Sequence, residues 1–238
     1  MNNLKTNMKT ENSKTFSTAA FTLIELLVVI SIISVLAGLI IGGLGAAKKK
    51  QNRDTARAEL EQIKAAIDSY HDKYGSYPPG NQNNVAVNYD PLSLSQLYYE
   101  LSGVTHNVAA QTYTTLDGAT TISEANYTTA FGVAGIVNVS KGGGEDAVPA
   151  KNFLTGLKAK QINNYVSNGI VPNTTVLITS VGGPDDNYKP LGVSALNPFR
   201  YNPGYKSVSP TNNPSSYDLW VDLVIGGKTY RINNWNAK

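Results

Sequence analysis

The chain has 238 residues, with hydrophobic residues at 41%, charged residues at 16% and a formal net charge of +3. That length holds one ordinary domain with additions, or two small ones, and the composition is that of a folded chain rather than a disordered one. With 0 cysteines, disulfide scaffolds, thiolate zinc sites and cysteine nucleophiles are excluded. Much of the basic excess lies within the first 64 residues, beside an apolar run. This is a membrane-proximal pattern, and no nucleic-acid partner is expected from it.

The first twenty residues carry Lys5, Lys9 and Lys14 against one acid, Glu11. Then FTLIELLVVISIISVLAGLIIGGLGAA runs from Phe21 to Ala47 with a single charge, Glu25. About 20 apolar residues cross a bilayer core, so the run predicts a transmembrane helix. It is too long for a conventional signal peptide, whose apolar region is about 7–15 residues. Counting basic flanks alone would put the following body in the cytoplasm, since Lys48, Lys49, Lys50, Arg53, Arg57 and Lys64 follow the run. A carboxylate inside such a run costs about 2.5–3.5 kcal/mol on insertion scales. Glu25, one turn in, either reaches back to the interface or meets a positive group of another chain. In the second case the attraction would fix the axial register between subunits.

The stretch AFTLIELLVVISIISVLAGLI resembles the amino-terminal motif of type IV prepilins and type II secretion pseudopilins. The resemblance implies a cytoplasmic leader over residues 1–20 and cleavage by a prepilin peptidase between Ala20 and Phe21. It also implies N-methylation of Phe21 and an assembly or register role for Glu25. The family normally has glycine before the cut, and Ala20 departs from that. Partners implied are further copies of the chain in a helical filament, the prepilin peptidase, an inner-membrane assembly platform, an assembly ATPase and the membrane itself. The body would be exported, with the filament in the periplasm or at the cell surface. No enzymatic activity is implied.

After Ala47, apolar positions recur at Ala56, Leu60, Ile63, Ile67, Tyr70 and Tyr74, opposite Arg57, Glu61, Lys64, Asp68 and His71. This is one amphipathic helical face over residues 48–75, ended by Gly75 and Pro78-Pro79. The helix is either continuous with the apolar run or broken at Gly42-Gly43-Leu44-Gly45.

Residues 76–194 read as a variable part of a head. Strands are expected at Val133–Val139 and Thr174–Val181, helices at Leu92–Leu101 and Ala150–Lys160, and a loop at 141–146. The last segment, 195–238, contains LNPFRYNPG and a predicted hairpin with strands near Tyr217–Val224 and Lys228–Ile232 about Gly226-Gly227. It looks like the carboxy-terminal part of the major pseudopilin of type II secretion. In many such proteins an acidic loop there binds calcium. Here only Asp218 and Asp222 are near, and the turn holds Gly226, Gly227 and Lys228, so no cofactor and no calcium site are expected. Asp185-Asp186 reads as a solvated turn, and His71 and His106 read as isolated surface histidines. The fold class that follows is α+β and pilin-like: a long amino-terminal helix packed on a head with antiparallel sheet. The leading function is a structural subunit of a type II secretion pseudopilus. A surface type IV pilus subunit and a membrane-anchored binding protein are the alternatives.

Overall fold

The computed structural model describes residues 21–83, 92–141, 148–165, 174–182, 196–204 and 211–235. The leader with Ala20, most of the 141–146 loop and the Asp185-Asp186 pair lie outside the described residues. Two compact units divide the chain, Met1–Ala47 and Lys48–Lys238.

In the first unit the described chain is helical from Leu23 onward, the start of helix α1, Leu23–Tyr74. Its large apolar side chains point to no core: Phe21, Leu23 and Ile24 are 70% exposed or more. Ser31 and Ser34 donate their hydroxyls to the carbonyls of Val28 and Ile30 at 2.7 Å, which leaves the surface of this stretch apolar. The backbone stays helical through Gly42, Gly43 and Gly45. The transmembrane assignment is not carried by the structure: among the described residues no helix is long and apolar enough to cross a membrane.

The second unit is built on the remaining turns of α1. Ala56, Leu60, Ile63, Ile67 and Tyr70 are buried and Tyr74 is half-buried, so the amphipathic face read from the sequence is the face that packs. Gly75 ends the helix in the left-handed region (φ 70°), its N–H donating to the His71 carbonyl at 2.7 Å.

Against that face lies α2, Leu97–Ser102, every residue of which is buried. It starts later than the expected Leu92, because Leu92–Gln96 form turns. An antiparallel meander follows: β1 (Val104–Asn107), β2 (Thr112–Thr115) and β3 (Thr121–Ser123), in the order β1-β2-β3. Helix α3, Glu124–Phe131, is capped by the Ser123 hydroxyl, which accepts from Asn126 N, and closed by Gly132 in the left-handed region. The expected strand Val133–Val139 is absent. Gly132 and Gly135 take positive φ (69° and 87°), and the segment bends, with one bridge from Val139 to Val104. The expected helix at Ala150–Lys160 is absent too. Gly156 (φ 79°) turns the chain, and the only helical part is a 3-10 turn at Ala159–Gln161.

A two-stranded sheet pairs β4 (Ile162–Tyr165) with β5 (Thr174–Leu177), where a strand was expected. The last sheet has the order β6-β7-β8, with β6 at Arg200–Asn202, β7 at Asp218–Ile225 and β8 at Lys228–Asn233. Ile225 pairs with Lys228 across the Gly226-Gly227 turn, as the hairpin reading requires. Leu219, Val221 and Leu223 alternate onto the buried face beside Tyr201, and a bridge from Ile178 to Pro198 links this sheet to the end of β5.

Candidate functional site

The amino end of α1 carries the residues for which the sequence gives a specific role. Phe21 and Thr22 precede the first helical residue, where backbone N–H groups lack partners within the helix. Thr22 and Glu25 supply them. The Glu25 carboxylate accepts from the Thr22 N–H at 2.9 Å and from the Thr22 hydroxyl at 2.7 Å, and the Thr22 hydroxyl accepts from Glu25 N at 3.3 Å. This is a capping box, in which two ends of the first turn satisfy each other. Reading Glu25 only as a free register carboxylate misses Thr22. The signal was present, since threonine three residues ahead of a glutamate and before an apolar run is the capping-box pattern. Glu25 therefore sits at the start of an exposed apolar helix with its carboxylate turned back onto Thr22. Ala20, the other half of the expected cleavage site, lies outside the described residues.

The two aspartates weighed for a cation are both taken up by donors. Asp218 is buried and accepts from Asn212 N at 2.6 Å, Asn212 Nδ2 at 2.9 Å and Asn213 N at 2.9 Å. It anchors the loop before β7. Asp222 faces β8, where Arg231 grips it through Nε and Nη2, both at 2.8 Å, and Arg200 Nη1 stands 3.8 Å away. Arg231 also lies over the Trp220 ring at 5.8 Å. Asp218 and Asp222 share a face of β7 but stand four residues, about 13 Å, apart along the strand, and each is taken up by its own donors.

His106 differs from its reading as an isolated residue in a loop. It lies on β1, its Nε2 contacts the Glu124 carboxylate, and its ring is 4.8 Å from that of Tyr113. His71 lies beside Tyr77, with ring centroids 4.4 Å apart.

Two buried acids carry more of the head than the sequence suggests. Glu100, on α2, is fully buried and accepts from Val137 N at 3.0 Å, Asn138 N at 3.1 Å and the Tyr70 hydroxyl at 3.0 Å. Burial pushes its carboxyl above the usual glutamate range, and the three donors act against that shift. Glu59, on α1, accepts from Thr179 Oγ1 at 2.8 Å and Ser180 N at 3.0 Å, and also contacts the Ser180 hydroxyl. Both join α1 or α2 to distant loops, and among the described residues no group of three or more His, Cys, Asp or Glu could hold a metal. They are structural pins.

No curated protein and no solved structure matches the chain. Residues 16–41 match the family model described as the prokaryotic N-terminal methylation motif. The matched segment contains Phe21, Thr22 and Glu25, whose geometry is given above. By that amino-terminal segment the chain is identified as carrying the hallmark of the type IV prepilin and pseudopilin family.

Proposed function

We propose that this chain is a structural subunit of a type II secretion pseudopilus. The observation that carries the reading is the methylation motif at residues 16–41, within which the described apolar side chains of the helix are unpacked. The hairpin of β7 and β8, in the sequence context that resembles the major pseudopilin, favours secretion over a surface pilus.

In this reading the peptidase cuts between Ala20 and Phe21 on the cytoplasmic side, and Phe21 is methylated. Before assembly residues 21–47 lie in the inner membrane as a single pass, with the leader cytoplasmic and the head periplasmic. Support comes from the single charge in that run and from the internal hydrogen bonds of Ser31, Ser34 and Glu25, which leave few polar groups to desolvate. The assembly platform and ATPase then move subunits into a filament, where the apolar stretches pack on one another and Glu25 sets register. The head carries no reaction and needs no cofactor, and the chain's work is mechanical.

The test has two arms. Intact mass and amino-terminal sequencing of the native membrane fraction should give a chain starting at N-methylated Phe21. Deletion of the chain should then abolish export of secreted proteins and leave surface filaments and their motility or adhesion intact. Loss of surface filaments with normal secretion would assign the chain to a pilus. A chain still starting at Met1 would make it an anchored protein outside filament assembly.

A further inference from the structure

The basic residues after the apolar run are unexplained by orientation. Lys48, Lys49, Lys50, Arg53 and Arg57 follow Ala47, yet basic residues tend to hold a flank in the cytoplasm. A chain whose body is exported keeps them against that tendency.

They are not scattered around the helix. Lys50, Arg53 and Arg57 are spaced by three and four residues and so share one face of α1. With Tyr230 and Arg231 of β8 they line a groove of about 480 Å³. The Arg53 guanidinium lies over the Tyr230 ring at 5.3 Å. Lys49 reaches the hairpin turn, where its Nζ would stand 3.1 Å from a Cβ placed on Gly226. Arg231 is committed to Asp222, and Asp54 is the one acid among the lining residues. Lys50, Arg53 and Arg57 are exposed and make no ion pair among the described residues.

We propose that this groove binds the phosphate of an anionic phospholipid from the leaflet in which the apolar run ends. The proposal rests on the membrane-inserted reading above. Its first argument is position: Lys48 follows Ala47 directly, so the groove begins within one helical turn of the end of the run. Lys50, Arg53 and Arg57 lie about 4.5, 9 and 15 Å of helix axis beyond Ala47, and side chains on a helix lean toward its amino end, so Lys50 and Arg53 reach the roughly 5–8 Å headgroup layer on that side of the core. The second argument is chemistry. Guanidinium groups bind phosphate oxygens through paired N–H donors, and Arg53 is held in place by the ring beneath it. A lipid phosphate is the anion that a membrane-embedded helix brings to this depth. The groove would hold the subunit at a fixed depth until extraction, and its basic residues would then serve anchoring instead of topology.

The test uses the full chain, purified in a neutral detergent and returned to vesicles. Wild type should co-float with phosphatidylcholine vesicles and with vesicles containing phosphatidylglycerol. In detergent, added phosphatidylglycerol should be retained on the chain in native mass spectra and should raise its Tm, while phosphatidylcholine does neither. The Arg53→Gln/Arg57→Gln variant, with unchanged circular dichroism, should lose at least tenfold in apparent phosphatidylglycerol affinity. About fivefold per cation is expected for a basic residue at a membrane surface. Equal retention of the two lipids, or full retention by the variant, would overturn the proposal and leave membrane insertion standing. An equal Tm rise with inorganic phosphate would make the groove a general anion site and overturn the lipid source. Failure to co-float with phosphatidylcholine vesicles would overturn the membrane reading and this proposal with it.

Discussion

Thr22 and Glu25 hold each other: the glutamate accepts from both the backbone N–H and the hydroxyl of the threonine, and the threonine hydroxyl accepts from the glutamate N–H. Cutting the chain before Phe21 would leave a new amine one residue from this pair. The carboxylate thus has a local use in the single subunit, and its use in a filament would have to compete with it.

Thr22→Ala should therefore fray the first turn of α1, at a cost of about 1 kcal/mol in helix stability, while Thr22→Ser retains the cap. Amide exchange over residues 23–26 of the full chain in detergent reads the difference. Glu25→Ala should leave membrane insertion unchanged and reduce filament yield. Normal filament yield from Glu25→Ala would remove the register role and leave the capping role alone.

The contribution of Glu100 to the stability of the head should fall as pH rises out of the acid range. Glu100 has its pKa raised by burial, so between its unfolded value, about 4.5, and its folded value the native state binds more protons than the unfolded one. The contribution is fully present below that unfolded value and is lost as pH rises through the folded one. Glu100→Gln cannot titrate, so the urea stability of wild type minus variant should fall as pH rises from 4.5. A difference that grows with pH would mean that Val137, Asn138 and Tyr70 outweigh burial and hold the carboxylate ionised.

Alkaline unfolding should be cooperative and signalled by tyrosinate absorbance. Tyr70, Tyr127, Tyr201 and Tyr217 have hydroxyls pushed above the usual phenol range, chiefly by burial. Above pH 10 the unfolded chain sheds these protons and the folded one keeps them, so stability falls as pH rises further. Tyrosinate absorbance should climb in step with loss of circular dichroism. A gradual rise at full ellipticity would show that these hydroxyls ionise in the folded head.

Gly132→Ala should cost more than Gly118→Ala, although both glycines have φ of 69°. The left-handed conformation alone costs about 1–2 kcal/mol for an alanine. At Gly118 a Cβ would meet open space, whereas at Gly132 it would lie 2.7 Å from Asn83 N and 2.9 Å from Gln82 C. Thermal denaturation of both variants should place Gly132→Ala several degrees lower. Equal Tm values would show that the 81–83 segment yields to the methyl group.

The sequence was most readable where periodicity and punctuation agreed. Leu60, Ile63, Ile67 and Tyr70 repeat at helical spacing and Gly75 stops the helix, so one whole wall of the head was visible in advance. Asp218–Ile225 and Lys228–Asn233 alternate about two glycines, which fixes a hairpin and its register. Reading failed where glycine conformation decided the outcome. Val133–Val139 has strand composition, yet Gly132 and Gly135 bend it away. The meander at Val104–Ser123 went unread because its strands have only three or four residues each, too short for alternation to register. At the candidate site, Glu25 was legible as an expensive charge, whereas its bond to Thr22 needed the capping pattern to be weighed as well. Glu59 and Glu100 look like ordinary helical acids. Only folding brings Ser180 and Asn138, distant in sequence, against them.

The burial of Ala56, Leu60, Ile63, Ile67 and Tyr70 decides where the polypeptide can be trimmed for preparation in water. A start at Lys48 discards only residues of the first unit and keeps every side chain of that wall. A start after Tyr74, which the apparent division into helix and head would invite, removes the wall together with Glu59 and its hold on Ser180. Such a fragment would expose the faces of α2 and β7 and precipitate. The amino-terminal apolar helix and the scaffold of the head are one piece of chain, and the practical seam between them lies inside the helix, at Ala47.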